Sequence, residues 1–149
     1  MIVTQEKILE SESQGQSQLN ILIVEDDFTS AIILEEYMSE YGECTIAANG
    51  AVAVAAFRNA LNKGQPYDMV CLDIMIPTID GHLVLEEIYR IQRDHGIDDK
   101  VGVKVIMTTA LDESEDIARA FRGGCDAYIV KPVTDEKLIE EMRRLSMIT

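Results

Sequence analysis

Residues 67–81 read YDMVCLDIMIPTIDG. A short apolar run, Met69 to Leu72, stops at a carboxylate, Asp73, and a loop-like piece with Pro77, Asp80 and Gly81 follows. The run has the length and composition of a buried strand. Open parallel sheets bind their ligands in the crevice outside the carboxyl ends of their strands. An Asp at such an end points into that crevice, so Asp73 is the candidate reactive group.

The same grammar recurs on both sides. Residues 20–24 (NILIV) form a continuous apolar run suited to a strand buried on both faces, and Glu25, Asp26 and Asp27 follow at once. A helix is predicted over Phe28 to Tyr41, with Ala31, Leu34, Met38 and Tyr41 on one stripe and Gly42 as its stop. Cys44 to Ala48 reads as a second strand, and Asn49 caps a helix through Leu61 whose inner face is Val54, Phe57 and Leu61. After the opening strand (Asp68 to Asp73), a helix starts at Asp80–Gly81 and buries Val84, Ile88 and Ile91. Asp94 to Gly102 is charged, contains two glycines and reads as a loop.

Val103 to Thr108 is a fourth strand. Asp112, with Glu115 three residues on, makes a capping-box pattern for a short helix ending at Gly123–Gly124. Ala127 to Val130 is a fifth strand closed by Lys131–Pro132, and Thr134 caps a last helix with Leu138, Met142 and Leu145 inward. Strands alternating with helices imply an α/β fold: a doubly wound parallel sheet of five strands, with helices on both faces. Right-handed crossovers narrow the topology to a few options.

The totals fit one domain. The chain has 149 residues, 47% of them apolar and 27% charged, which is ordinary for a globular protein. A net charge of -14 argues against direct binding of nucleic acid, whose phosphates attract Lys and Arg. No stretch has the length of a membrane span, and MIVTQEKILE lacks the basic start and apolar run of a signal peptide, so a cytoplasmic location is expected. Cys44, Cys71 and Cys125 lack metal-type spacing and read as buried thiols without a disulfide. Residues 1–18 end in a polar stretch and read as a flexible tail before a domain over 19–149. Met1 and that tail suggest a complete chain, with no output domain after the last helix.

Strand ends carry the chemistry. The first ends in Glu25–Asp26, the third in Asp73, the fourth in Thr109–Ala110 and the fifth in Lys131. In a parallel sheet these ends share one edge, which brings three carboxylates, a hydroxyl and an ammonium to one patch. Clustered carboxylates repel unless a cation sits among them. Mg²⁺ suits this set, because it prefers oxygen ligands and keeps waters that a phosphate can displace. An Asp beside Mg²⁺ and a lysine is equipped to accept a phosphoryl group as an acyl phosphate. Each acid alone reads more simply as a solvated helix cap, as Asp27, Asp80 and Asp112 do. The joint occurrence is what points to a site.

ILIVEDD, CLDIMIPTIDG, VIMTTA and AYIVKP resemble the signatures of two-component response-regulator receiver domains, over about residues 19–146. The resemblance implies a flavodoxin-like sheet in the order 2-1-3-4-5. It implies that Asp73 is the phosphoacceptor and that Asp26 and Asp73 bind Mg²⁺ directly. Glu25 would assist through water, and the Met75 backbone carbonyl would add a further ligand. Thr109 resembles the switch hydroxyl, Lys131 the phosphate-pairing lysine and Tyr128 the aromatic rotamer switch; the Lys131–Pro132 bond is usually cis in such proteins. The implied partners are a sensor histidine kinase or histidine phosphotransfer protein and a downstream protein target, the chain being a monomer or weak dimer. The spacing between Asp73 and Thr109 is longer than the family's usual one, and the extra residues read as a tolerated surface insertion around Asp94 to Gly102.

Two side chains flank the approach of a hydrolytic water: Met75, two residues after Asp73, and Leu111, two after Thr109. Both are apolar and neither orients water, so slow autodephosphorylation is expected. Three other readings compete with the receiver. A Mg²⁺-dependent phosphohydrolase with an Asp nucleophile usually has a second Asp two residues after the first, where this chain has Met75. An interaction module blind to phosphorylation would not need Asp26, Asp73, Thr109 and Lys131 together. A flavodoxin-like cofactor binder would want Gly or hydroxyls where acids follow the first strand.

Overall fold

The computed structural model describes residues 18–110 and 114–149. Five strands alternate with five helices: β1 (Leu19–Val24), α1 (Phe28–Met38), β2 (Gly42–Ala47), α2 (Gly50–Asn62), β3 (Met69–Asp73), α3 (Gly81–Asp94), β4 (Lys104–Thr109), α4 (Ser114–Arg122), β5 (Ala127–Val130) and α5 (Asp135–Arg144). All pairings are parallel, in the order β2-β1-β3-β4-β5. The α/β architecture and strand order expected above are both present.

Alternation along each strand sorts the core into two layers. Leu22, Val24, Val70, Leu72, Val105 and Met107 face one layer, with Phe57 of α2, Leu85 and Ile88 of α3 and Ala120 of α4. Ile21, Ile23, Met69, Cys71, Ile106 and Ile129 face the other, with Leu34 and Met38 of α1 and Leu138 and Met142 of α5. β1 and β3 are buried on both faces, which is why their sequences run apolar without a break.

Helix starts follow the capping residues. Asp27, Asn49, Asp80 and Thr134 each accept a hydrogen bond from a backbone N–H of the first turn, at 3.1, 2.9, 2.7 and 3.2 Å. Asp112, the expected cap of α4, lies outside the described residues, as does the tail over residues 1–17. α1 stops at Met38, short of Tyr41, and Gly42 opens β2 instead of ending the helix. The cause is tertiary: the Leu19 N–H bonds the Tyr41 carbonyl at 2.9 Å, which pulls the chain into the sheet. Cys71 and Cys125 are buried, and Cys44 is only half-buried; all three are free thiols.

The segment between α3 and β4 sits at the amino end of β4, away from the carboxyl edge. Gln92 pins it by accepting a hydrogen bond from the Val103 N–H at 2.7 Å, and Arg93 pairs with Asp99 at 3.0 Å.

Candidate functional site

Glu25, Asp73 and Lys131 meet at the carboxyl edge of the sheet. Each follows, or ends, a strand whose inner residues hold it in register. Lys131 Nζ lies 2.9 Å from Asp73 Oδ2 and 3.0 Å from Glu25 Oε2. The two carboxylates are almost sealed from solvent, at 2% exposure for Glu25 and 3% for Asp73. Their second oxygens are held by the backbone: the Asp27 N–H donates to Glu25 Oε1 and the Met75 N–H to Asp73 Oδ1, both at 3.1 Å.

Electrostatics follows from that packing. Burial pushes the Glu25 carboxyl above its ordinary range; the Lys131 hydrogen bond opposes this and the Asp73 charge reinforces it. Partial burial alone would pull the Lys131 ammonium down. Its hydrogen bonds to Asp73 and Glu25 outweigh that and hold it above the usual lysine value. Lys131 is thus a fixed cation serving two acids.

Asp26 is exposed beside this pair, and one ligand oxygen from each of Glu25, Asp26 and Asp73 lies within 4.8 Å of the others. Three carboxylates against one ammonium leave net negative charge, and all the donors are hard oxygens. That set fits Mg²⁺.

The loop after β3 is shaped by Gly81 at the start of α3. A Cβ there would come within 2.7 Å of the Asp73 carbonyl oxygen and 2.6 Å of the Ile74 Cα, so only glycine lets the helix close on the strand that carries Asp73. The Lys131–Pro132 bond is cis. Beside Lys131 lies a cavity of about 410 Å³ lined by Glu25, Ser30, Ile33, Leu34, Pro132 and Val133.

The remaining sequence candidates lie around this centre. Thr109 is buried at the end of β4. Tyr128 is half-buried on β5 and packs against the layer that contains Val105 and Met107. The Met75 side chain is 63% exposed although its N–H bonds Asp73. Leu111 lies outside the described residues. Thr108 was not among the candidates. It pairs with Asp73 across β3–β4, is 1% exposed, and its Oγ1 has no hydrogen-bond partner among the described residues. The signal was in the sequence: VIMTTA places two hydroxyls in succession, and alternation sends them to opposite faces.

Residues 21–143 match the family description "Response regulator receiver domain". The chain belongs to the receiver-domain family of two-component response regulators. Among curated relatives it is 34% identical over 131 residues to the transcriptional regulatory protein TcrA of Mycobacterium tuberculosis, covering 87% of this chain and 47% of that protein. It is 36% identical over 124 residues to the probable transcriptional regulator ycf27 of Pyropia yezoensis, covering 83% and 45%. The chain therefore spans about half the length of the curated relatives it matches.

Among solved structures, a CheY-like receiver domain protein from Methanospirillum hungatei JF-1 superposes with a TM-score of 0.72 at 27% identity, covering 87% of this chain and 94% of that one. The CheX-CheY-BeF3-Mg+2 complex from Borrelia burgdorferi gives 0.71 at 28% identity, covering 86% and 89%. Among the described residues no helix is long and apolar enough to cross a membrane.

Proposed function

We propose that this receiver accepts a phosphoryl group on Asp73 from the phosphohistidine of a histidine kinase or phosphotransfer protein, and signals by a conformational change through Thr109 and Tyr128. The observation that carries this reading is the contact of Lys131 Nζ with Asp73 Oδ2 at 2.9 Å, inside a cluster of three carboxylates. A carboxylate sealed from bulk water, flanked by one fixed cation and by oxygen ligands for another, is built to attack phosphorus and to have the moving charge neutralised.

Asp26 and Asp73, with Glu25 through water and the Met75 carbonyl, would hold Mg²⁺, which when bound neutralises the oxygens of the transferred group. Asp73 Oδ attacks phosphorus in line, and the P–N bond to the donor histidine breaks. Lys131 moves from a carboxylate partner to a phosphoryl one. The new dianion draws the Thr109 hydroxyl toward it, and Tyr128 turns into the space left behind. Thr109 pairs with Val130 and Met107 with Tyr128, so the two side chains of interest share one face of adjacent strands, the face that α4 covers. The readout falls on α4, β5 and α5.

Exposed apolar residues on α1 beside the site support a protein as the donor: Phe28, Ile32 and Ile33. The chain would act in the cytoplasm as a monomer or weak dimer, without direct contact with nucleic acid or membrane. It is read as a phosphoacceptor that promotes its own phosphorylation and sheds the group slowly.

Incubation with Mg²⁺ and acetyl phosphate, followed by intact mass, tests the reading. One added phosphoryl group in the wild type and none in Asp73→Asn is the expected result. Continuous phosphate release over many turnovers would favour the phosphohydrolase instead, and no labelling would favour an interaction module.

A further inference from the structure

Lys131 reaches Asp73 across a strand. The order β1-β3-β4-β5 puts β4 between the strands that carry the two residues. The Lys131 N–H bonds the Thr109 carbonyl at 2.7 Å, which continues the β4–β5 ladder past Thr109↔Val130. The lysine backbone therefore stands level with Ala110, and its side chain leans back over the end of β4 to meet Asp73, which is level with Thr108.

The residue beneath that path is Thr108. Ile106, two residues before it, faces the layer of α1 and α5, together with Cys71 and Ile129. Side chains two apart on a strand share a face. Thr108 thus lies on the same face as Asp73 and Lys131, flanked in register by Asp73 on one side and Ile129 on the other. Its main chain is engaged, since its carbonyl accepts from the Ile74 N–H at 2.9 Å. Its hydroxyl is buried and unpartnered among the described residues. A valine of the same shape would fill the position without that polar atom, and a buried hydroxyl without a partner is destabilising.

Lys131 has three N–H donors, of which two meet Glu25 Oε2 and Asp73 Oδ2. Forming an acyl phosphate neutralises the Asp73 carboxylate, so the ammonium must exchange a charged partner for a phosphoryl oxygen. We propose that Thr108 is a positioning residue for Lys131, its hydroxyl accepting a hydrogen bond from the ammonium while the lysine shifts from Asp73 to the incoming phosphoryl group. This rests on the phosphoacceptor reading of Asp73. The buried hydroxyl lowers the stability of the resting protein and acts during transfer.

The test compares wild type, Thr108→Val and Thr108→Ser in Mg²⁺ and acetyl phosphate. The P–O bond to acetate breaks, acetate leaves with the bonding pair, and an Asp73 Oδ–P bond forms. Phosphoryl uptake is followed by intact mass, and urea unfolding of the unphosphorylated proteins is measured alongside. Thr108→Val is expected to unfold at higher urea than wild type yet to label roughly tenfold more slowly, the effect of one hydrogen bond to a charged group. Thr108→Ser, which keeps the hydroxyl, labels close to the wild-type rate. Thr108→Val labelling as fast as wild type overturns the inference and leaves Asp73 as acceptor. So does Thr108→Ser labelling as slowly as Thr108→Val, which would make the side chain's packing the cause. A wild type that takes no phosphoryl group overturns the parent reading and this one with it.

Discussion

Lys131 Nζ sits 2.9 Å from Asp73 Oδ2, with the lysine 28% exposed and the carboxylate side chain 4%. The pair joins the end of β3 to the segment after β5, across the strand between them. Removing the lysine leaves Asp73 and Glu25 as neighbouring buried acids with no cation in contact among the described residues. Lys131→Met is expected to lower stability by roughly 1–3 kcal/mol, less than for a fully buried pair because water reaches the ammonium. Adding Asp73→Asn to that background should restore part of the loss. Urea unfolding of the two single mutants and the double mutant gives the coupling directly.

Divalent cation should stabilise the folded chain by mass action. At a Mg²⁺ concentration a hundred times Kd the gain is about 2.7 kcal/mol. Asp26 contributes to the cluster with Glu25 and Asp73 while standing in solvent. Asp26→Asn should therefore unfold at higher temperature than wild type without metal, because one like charge is gone, and should gain much less from added Mg²⁺. Thermal unfolding with EDTA and with Mg²⁺ distinguishes the two effects.

Met75 exposes 63% of its surface beside Asp73. An apolar side chain there excludes water without orienting it. Met75→Asn combined with Leu111→Glu is expected to shorten the lifetime of the phosphorylated protein by about tenfold, below the ~10²-fold or more of a fully positioned general base. Loss of the phosphoryl mass over time, after removal of acetyl phosphate, gives the rate. An unchanged lifetime in the double variant contradicts this assignment.

The sequence was most informative where physics is local. Uninterrupted apolar runs marked β1 and β3 because both faces of those strands are covered, and Asn49, Asp80 and Thr134 announced helix starts that their side chains do cap. Charged residues at successive strand ends marked the edge where Glu25, Asp73 and Lys131 meet. The end of α1 was less legible, since Tyr41 fits the helical stripe and only pairing with Leu19 diverts it. Thr108 was less legible, because its level with Asp73 and its unpartnered buried hydroxyl follow from strand register and side-chain packing. His82 also gave no signal, being a polar residue in an apolar-periodic helix that the fold nevertheless buries.

His82 makes a pH dependence of its own. It is 9% exposed, and its Nε2 is buried without a partner among the described residues. Burial first, then Arg119 of α4, lowers its pKa; Asp80 of its own cap and Asp116 of α4 oppose this incompletely. With the folded pKa below the unfolded value of 6.5, the unfolded chain takes the proton first as pH falls. The contribution is full above 6.5 and declines as pH drops through the folded pKa. Urea midpoints at several pH values should fall more steeply below neutrality in wild type than in His82→Gln.

Chemical trapping at Asp73 is the most direct measurement. An acyl phosphate, unlike a phosphate ester or a phosphoimidazole, is reduced by borohydride to an alcohol. After exposure to acetyl phosphate and Mg²⁺, reduction and peptide mass mapping should find homoserine in place of aspartate at position 73 and nowhere else. Aspartate intact at position 73 in a protein that has gained a phosphoryl group would contradict the central claim.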